Sequence, residues 1–399
     1  MRPGRLRRTL LLVLEAELVN GIENVDPTEW DALDRGGSPF LEHVYLRALE
    51  TSSATVDHGV LPQHLVICQD GRVVAACPLY VKGDGRGEFI YDYQWWMLAE
   101  RLGVPYYPKA VSMVPFTPAT CPHFLFAPGV ARERLLPLMA ETIEESTRAA
   151  GLNGVHYLFL QEDEARALEQ LGHVRRLSSQ LVLENRGWSD FEDYLACFRA
   201  RHRKKIRREL RSVEAQGLTI EVLEGDAIEA EHLELMYEFY SITCREHGTG
   251  SHYLKRETWE VLFGEWSHRL LLCLARHDGE AVGGSLSVTG DGNLHGRYWG
   301  CRGHWPDLYF NLAFYTPIRV LIEKGWQRFS SGFGNSPGKF ARGFVPMATH
   351  SAHRIFDDRF QEVLAEYLAE ERQAVARDLE TAREECPLRP SDGLECADV

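Results

Sequence analysis

Three residues spaced two apart, His295, Arg297 and Trp299, fall within Leu294 to Gly300, a run whose pattern predicts a β-strand. A strand's period of two sets them on one face, with Leu294, Tyr298 and the glycines on the other. Two ionisable groups in mid-sheet are costly to bury unless they pair or face a cleft, so the run reads as a reactive cleft or as a structural ion pair. In a cleft His295 is the natural general base, since free imidazole titrates near 6.5 and such help is worth roughly 100- to 10,000-fold. Arg297 and Lys339 are the accompanying catalytic candidates, and Tyr298 and Trp299 the adjoining substrate contacts. Lys339 and Arg342, three apart beside glycines, suit a carboxylate or phosphate, with a surface pair as the alternative. Tyr309, Asn311 and Tyr315 have helical spacing and polar ends, and either line the cleft or pack. His202 and His353 read better as packed or capping histidines.

A second concentration is basic. Ser189-Asp190-Phe191-Glu192 has the form of a capping box opening a long helix that ends near Gly217. The helix carries Arg199, Arg201, His202, Arg203, Lys204, Lys205, Arg207, Arg208 and Arg211. Phe198, His202, Ile206, Leu210 and Val213 follow a packing stripe, so the cations cover the remaining face. That face is either simply solvated or the contact for a polyanion, because so dense a run of one sign repels itself. A third concentration is aromatic: Tyr91, Tyr93, Trp95, Trp96, Tyr106 and Tyr107 stand beside Lys109. Most belong in a core, while Trp96 and Lys109 are the candidates for an acceptor or an adenine ring. Gly283 and Gly284 weaken a strand unless a bulge, another backbone or a ligand needs the space. Nine cysteines without a C-x-x-C pair predict reduced thiols in cytoplasm and no metal site.

The elements that must position these residues come in two similar sets. Leu65 to Ala76 and Cys273 to Gly284 both read as hairpins turning at Asp-Gly, Asp70-Gly71 and Asp278-Gly279, roughly 200 residues apart, a spacing that suits one domain copied in tandem. Each half reads β-α-α-β-β-β-α-β, a mixed α/β unit built around a meander. Strands are expected at Thr9 to Val19, Gly87 to Tyr91 and Val155 to Leu160 in the first half. In the second they are expected at Leu218 to Leu223, Leu294 to Gly300, Arg328 to Ser331 and His350 to Ile355, before a long helix Phe360 to Glu384. The expected division is 1–186, a basic connecting helix 187–217, a second domain 218–385 and a disordered acidic tail 386–399. With 44% hydrophobic and 26% charged residues the chain can bury two cores. A net charge of -14 argues against a general nucleic-acid coat, and DNA is not expected as a partner, although a local basic patch remains open. The basic and apolar start imitates a signal peptide, but Glu15 and Glu17 interrupt it and no apolar run spans a bilayer, so secretion and a transmembrane segment are not expected.

The order of elements resembles the GNAT acyltransferase fold, and its duplication resembles the Fem-like transferases. Several segments are similar to a bacterial family of N-acyltransferases of peptidoglycan-biosynthesis type. They include Pro39-Phe40-Leu41, Pro62-Gln63-His64-Leu65, Tyr106-Tyr107-Pro108-Lys109, Val114-Pro115-Phe116-Thr117-Pro118, Arg203 to Arg208, Arg297 to Cys301, Ala341 to Phe344 and Ser351-Ala352-His353. The resemblance implies two tandem GNAT-like acyltransferase domains of mixed-sheet α/β class, forming an amide by direct attack of an amine, with backbone N–H donors where two central strands splay. It implies no permanently bound cofactor; the co-substrate is an aminoacyl-tRNA or an acyl-CoA. Two departures matter: Asn311 stands where the family carries an acidic residue, and Gly334 to Lys339 replaces a Gln-Gly-Glu-His-Lys run. The pyrophosphate turn usual in GNAT proteins is also missing, with Arg302 and Gly303 a weak remnant. The leading expectation is therefore aminoacyl transfer from aminoacyl-tRNA to an amine of a small molecule or peptide, with Arg201, Arg203, Lys204, Lys205, Arg208 and Arg302 on the donor. CoA-dependent acyl transfer is the second, and a non-catalytic binding module that keeps the fold is the third.

Overall fold

The computed structural model describes residues 14–246, 252–334 and 336–388. The first-half strands are β1 (Leu14–Val19), β2 (Val60–Pro62), β3 (His64–Gln69), β4 (Arg72–Cys77), β5 (Tyr80–Lys82), β6 (Lys109–Ser112), β7 (Leu125–Phe126), β8 (Gly154–Leu160) and β9 (Val174–Glu184). Those of the second are β10 (Leu218–Glu224), β11 (Leu270–His277), β12 (Glu280–Gly290), β13 (Asn293–Cys301), β14 (Arg328–Ser330) and β15 (Val345–Ile355). They form a larger sheet, β10-β11-β12-β13-β14-β9-β15-β8-β6-β5-β2, and a smaller one, β1-β3-β4-β7.

The larger sheet reads the same outward from its centre. β9 and β15 pair antiparallel there, from Val345 opposite Val182 to His353 opposite Val174. On one side β9 meets β14 antiparallel and β14 meets β13 parallel; on the other β15 meets β8 antiparallel and β8 meets β6 parallel. The last strand of each copy has thus crossed into the sheet of the other. Two mixed α/β units in tandem lie on either side of the β9–β15 pair, but a sequence boundary at 186 or 218 is not a boundary in the sheet.

Local sequence explains the outer strands. Asp70-Gly71 and Asp278-Gly279 all have positive φ, which fits the expected two-residue turns of β3–β4 and β11–β12. Asp291-Gly292, also at positive φ, makes a third such turn between β12 and β13. In the first copy only Gln63 separates β2 from β3, and only Pro78 and Leu79 separate β4 from β5, so the hairpin passes from one sheet to the other there. Pro78 has no N–H to offer a ladder, which suits that break.

Four expectations are corrected. No strand covers Gly87 to Tyr91; Phe89 has positive φ, and Glu88 and Asp92 turn inward toward Lys109. β9, absent from the sequence reading, is among the longest strands. The connecting helix is two, Phe191–Ala196 and Ala200–Ala215, capped by Asp190 rather than Ser189, because Phe198 is fully buried at the break and bridges to Leu388. Finally, the chain at 386–388 is not a disordered tail: Cys386 and Leu388 are buried, with Leu388 against Gly343. Residues 389–399, and the Thr9 to Val13 part of the first expected strand, lie outside the described residues.

The main core draws on both copies. Phe40, Tyr45 and Leu46 of the first pack with Trp259 and Trp266 of the second, and Glu42 accepts from Trp266 Nε1 and Arg269. The glycines of β12 and β13 serve close packing: a Cβ on Gly284 would meet Met236 Sδ at 2.6 Å, and one on Gly300 would meet the Phe239 carbonyl oxygen at 2.0 Å. Helix Ala230–Glu246 therefore lies directly on this strand, and Gly300→Ala should cost at least about 3 kcal/mol, as read by urea unfolding.

Candidate active site

β13, which carries the candidate residues, outruns its neighbour. It pairs with β14 only through Asn293, Leu294 and His295, opposite Arg328, Phe329 and Ser330, and beyond them the two strands part. Just past that point β13 holds one extra residue: Gly296 lies opposite Ser287, but Tyr298 lies opposite Leu286. The bulge at Arg297 resets the alternation, so His295, Arg297 and Trp299 do not share a face. His295 and Tyr298 point with Val288 and Leu286 toward the main core, where His295 meets Phe40 at 5.1 Å and Tyr298 meets Tyr240 and Trp259. Trp299 points the other way, 4.6 Å from the Tyr309 ring.

Two spaces adjoin this gap. A cavity of about 480 Å³ is lined by His295, Ser330, Gln180, Thr349, His350 and Glu162, among others, and so lies over the exchanged strands. A second, of about 70 Å³, is lined by Ser287, Arg297, Trp299, Tyr309, Phe314 and Ser331, among others. His295 borders the first space and Trp299 the second, on opposite faces of β13.

Half-buried His295 is pushed down to about 4 by removal from water and then by Arg297, so it is neutral at pH 7 and a weak base. Arg297 reaches the first copy: Nη2 donates to the Phe116 carbonyl (2.7 Å) and to Thr117 Oγ1 (3.1 Å). No carboxylate lies within 4.0 Å of it among the described residues.

The helix after β13 contains a π-helical turn, Asn311–Tyr315, between α-helical segments. Ser285 Oγ donates to the Leu312 carbonyl at 2.6 Å, so a side chain from β12 enters the widened turn. Such turns often mark functional sites, and this one supplies Phe314 to the small pocket.

A residue that sequence reasoning missed organises the surroundings. Glu209, on helix Ala200–Ala215, is 1% exposed although basic residues surround it in sequence. Its carboxylate accepts from Arg342 (2.5 Å) and Tyr315, and its backbone carbonyl accepts from Asn311 Nδ2 (3.1 Å). Asn311 Nδ2 also donates to the Asp307 carbonyl at 3.0 Å. A carboxylate in place of this amide could donate to neither carbonyl, which accounts for Asn311 as a packing choice. Its place in the hydrophobic stripe, three residues after Ile206 and four before Val213, was the available signal for Glu209.

The structure thus gathers Arg342, Asn311 and Tyr315 around Glu209, not around a cleft. Lys339 is also buried; its ammonium donates to the carbonyls of Gly332, Phe333 and Gly334 at 2.9 to 3.0 Å, and burial pushes it down to about 8. It clamps the loop that carries Ser331. Lys109 is fully buried between Glu88 and Asp92 beneath Tyr106 and Tyr107, out of reach of a substrate, and Trp96 lies on an exposed surface against Tyr93. Arg302 forms a surface ion pair with Glu238.

On the basic helix Arg201, Lys204, Lys205 and Arg208 are exposed, while half-buried Arg203 donates to the Phe198 carbonyl at 3.4 Å. Arg207 pairs with Glu192. Among the described residues no carboxylate lies within 4.0 Å of Arg201, Lys204, Arg208 or Arg211, which form one stripe at helical spacing.

Two outcomes follow. Glu209→Gln leaves Arg342 charged and buried without its partner, and should lower stability by roughly 3–5 kcal/mol in urea unfolding. His123 and His173 are held down at about 4 by burial, and His156 and His353 well below the free value. The unfolded chain therefore binds protons that the folded chain cannot. Their contribution is complete above about pH 6.5 and lost as pH falls toward 4, roughly 1 kcal/mol per histidine at pH 5.5, offset in part by Glu164, which burial raises to about 7. Urea unfolding at pH 7 and pH 5.5 measures the net loss.

Several solved structures are similar to this chain. L-PGS from Bacillus licheniformis superposes with a TM-score of 0.51 at 12% identity, covering 86% of this chain and 97% of that one. FemX gives 0.47 at 12% identity over 79% and 93%, and a tandem GNAT protein from the clavulanic acid biosynthesis pathway 0.42 at 14% over 86% and 98%. No curated protein matches the sequence. No described helix is long and apolar enough to cross a membrane. The FemAB-like family, described as peptidoglycan biosynthesis/recognition, matches residues 21–390, and the chain belongs to it.

Proposed function

We propose that this protein is an N-acyltransferase that moves an aminoacyl group from aminoacyl-tRNA to an amine, at the gap between β13 and β14. The observation that carries the reading is the unpaired stripe Arg201, Lys204, Arg208 and Arg211. It lies on the same helix whose buried Glu209 holds Tyr315 and Asn311 of the pocket-lining turn. A polyanion docked on the outer face would rest on a helix that is itself packed against the pocket-lining turn. Donor and acceptor would approach from opposite faces of the sheet, one through each space, and meet where β13 carries an unpaired edge. The backbone N–H groups of that edge are the candidates for stabilising an oxyanion. His295, neutral and weak as a base, would accept a hydrogen bond from the attacking amine more readily than it would hold a proton, while Arg297 supplies positive charge.

The CoA reading has less support. The helix that would face a pyrophosphate is entered through Asp307, in left-handed conformation with an acidic side chain, and Arg302 is occupied by Glu238. Asn311, for its part, is explained by packing and so does not argue for a lost activity.

Filter binding with charged tRNA, uncharged tRNA and acetyl-CoA separates the readings. With four cations engaged, tRNA affinity should fall roughly a hundredfold between 50 and 200 mM salt, and the double variant Lys204→Glu, Arg208→Glu should abolish it. Acetyl-CoA binding without tRNA binding would move the assignment to CoA. Binding of neither would leave the non-catalytic module.

A further inference from the structure

The last rung before β13 and β14 part sets His295 opposite Ser330. Residues opposed across a ladder point to the same face, and neighbouring strands run about 4.8 Å apart, so imidazole and hydroxyl stand side by side where the strand edge opens. The alternation of the next strands agrees. Ser330 is opposite Val182, and on the exchanged pair Gln180 is opposite Met347. All five residues line the cavity of about 480 Å³, so one face of the sheet forms its floor from β13 through to β15. Both members of the rung are half-buried, and neither side chain makes a hydrogen bond among the described residues.

The rest of the cavity is polar but nearly without free charge. Its carboxylate and its guanidinium are each paired, Glu162 with Arg166 at 2.6 Å and Arg328 with Glu184 at 3.4 Å. The other polar lining groups include the amides of Gln161, Gln180 and Asn293 and the hydroxyl of Thr349. Such walls match a ligand of neutral hydrogen-bonding groups, and the volume is that of a small-ligand site. The other space, of about 70 Å³, admits only a few heavy atoms, and its lining turn is held by the basic helix. With the donor's acyl end in the small space, the large one falls to the acceptor. An attacking primary amine must aim its lone pair at the acyl carbon, so its two N–H groups need acceptors on the other side. Neutral imidazole offers one acceptor nitrogen and a serine hydroxyl another acceptor.

We propose that His295 and Ser330 together hold the acceptor's amine at the edge of the gap, and that the 480 Å³ cavity takes the rest of an acceptor whose body is uncharged and rich in amide or hydroxyl groups. The inference rests on the acyl-transfer reading and deepens it. It adds Ser330 as a substrate contact, and it makes the acceptor site a joint product of both copies, since Gln180 and Val182 of the first share the floor with Met347 of the second. In the transfer the N–C bond forms and the donor's ester C–O bond breaks. The proton that the amine gives up ends on the departing ribose oxygen, while His295 and Ser330 orient the amine and are themselves unchanged.

The test reads binding alone, and so is independent of turnover and of tRNA. Trialanine amide and N-acetyl-trialanine amide differ only at the amine, and isothermal titration of the full chain with each measures what the amine contributes. Trialanine amide should bind saturably and its acetylated form at least tenfold more weakly. Ser330→Ala, at a half-buried position with little risk to the fold, should reduce the preference severalfold, and adding His295→Phe should remove it. Met347→Trp, which fills the floor, should abolish binding of both probes, and the double variant Lys204→Glu, Arg208→Glu should leave binding intact. Equal binding of the two probes, no binding of either, or a preference unchanged by Ser330→Ala would overturn the pair. Binding that survives Met347→Trp would remove the acceptor from this cavity. Failure of tRNA binding with the amine preference retained would instead count against the donor assignment only.

Discussion

Everything at the centre of this molecule depends on the exchange of β9 and β15. Neither copy can finish its own sheet: β14 would otherwise be a three-residue strand at an edge, and β8 would show its unpaired backbone to solvent. Exposed edges of that kind invite pairing with another chain, and here each copy uses the other's last strand to prevent it. The same exchange creates the gap. β14 is fixed by β9 along one side and is too short to follow β13 along the other, so from Gly296 onward β13 keeps β12 on one edge and has no strand on the other. The duplication is therefore more than repetition, since the opening in the second copy is held in shape by a strand from the first.

A second constraint is the charge on Glu209. Burying a carboxylate and a guanidinium together is costly, and such a pair stabilises little beyond what an apolar pair of equal volume would. What it fixes here is arrangement. Arg342 lies over the Phe310 ring at 3.4 Å, donates to the Gly338 carbonyl, and meets the carboxylate that also receives Tyr315. Helix Ala200–Ala215, the π-helical turn and the segment 336–342 are thereby held in one register. Groups that suggested chemistry by their types, Arg342, Lys339 and Asn311, are occupied in building the wall of the pocket.

Much of this was legible because it is local. Asp-Gly turns, flanking apolar runs and the repeated order of helices and strands are written within a few residues of one another, and the fold class followed from them. Asp291-Gly292 carried the same turn signal and would have defined β12–β13 as a hairpin. β9 was harder: Arg175, Arg176, Ser178 and Ser179 interrupt its apolar pattern because that stretch is only half-buried, and its partners lie more than a hundred residues away. The face of β13 was misjudged for a related reason. A period of two cannot register an inserted residue, and the bulge is set by the pairing with β12 rather than by any residue type in Arg297-Tyr298-Trp299. Glu209 was hidden by its neighbours, since one acid in a basic run reads as charge balance until the buried stripe is drawn through it.

The placement of His295 bears on what kind of catalysis this architecture can support. An imidazole held near 4 is uncharged at neutral pH and gives little driving force for taking a proton from an ammonium group. Orientation and charge are then the larger resources, since holding an amine and an activated acyl group in line is worth far more than a weak base. The structure is better equipped for that: two spaces on opposite faces of one strand, an unpaired strand edge between them, and an arginine without a counter-charge.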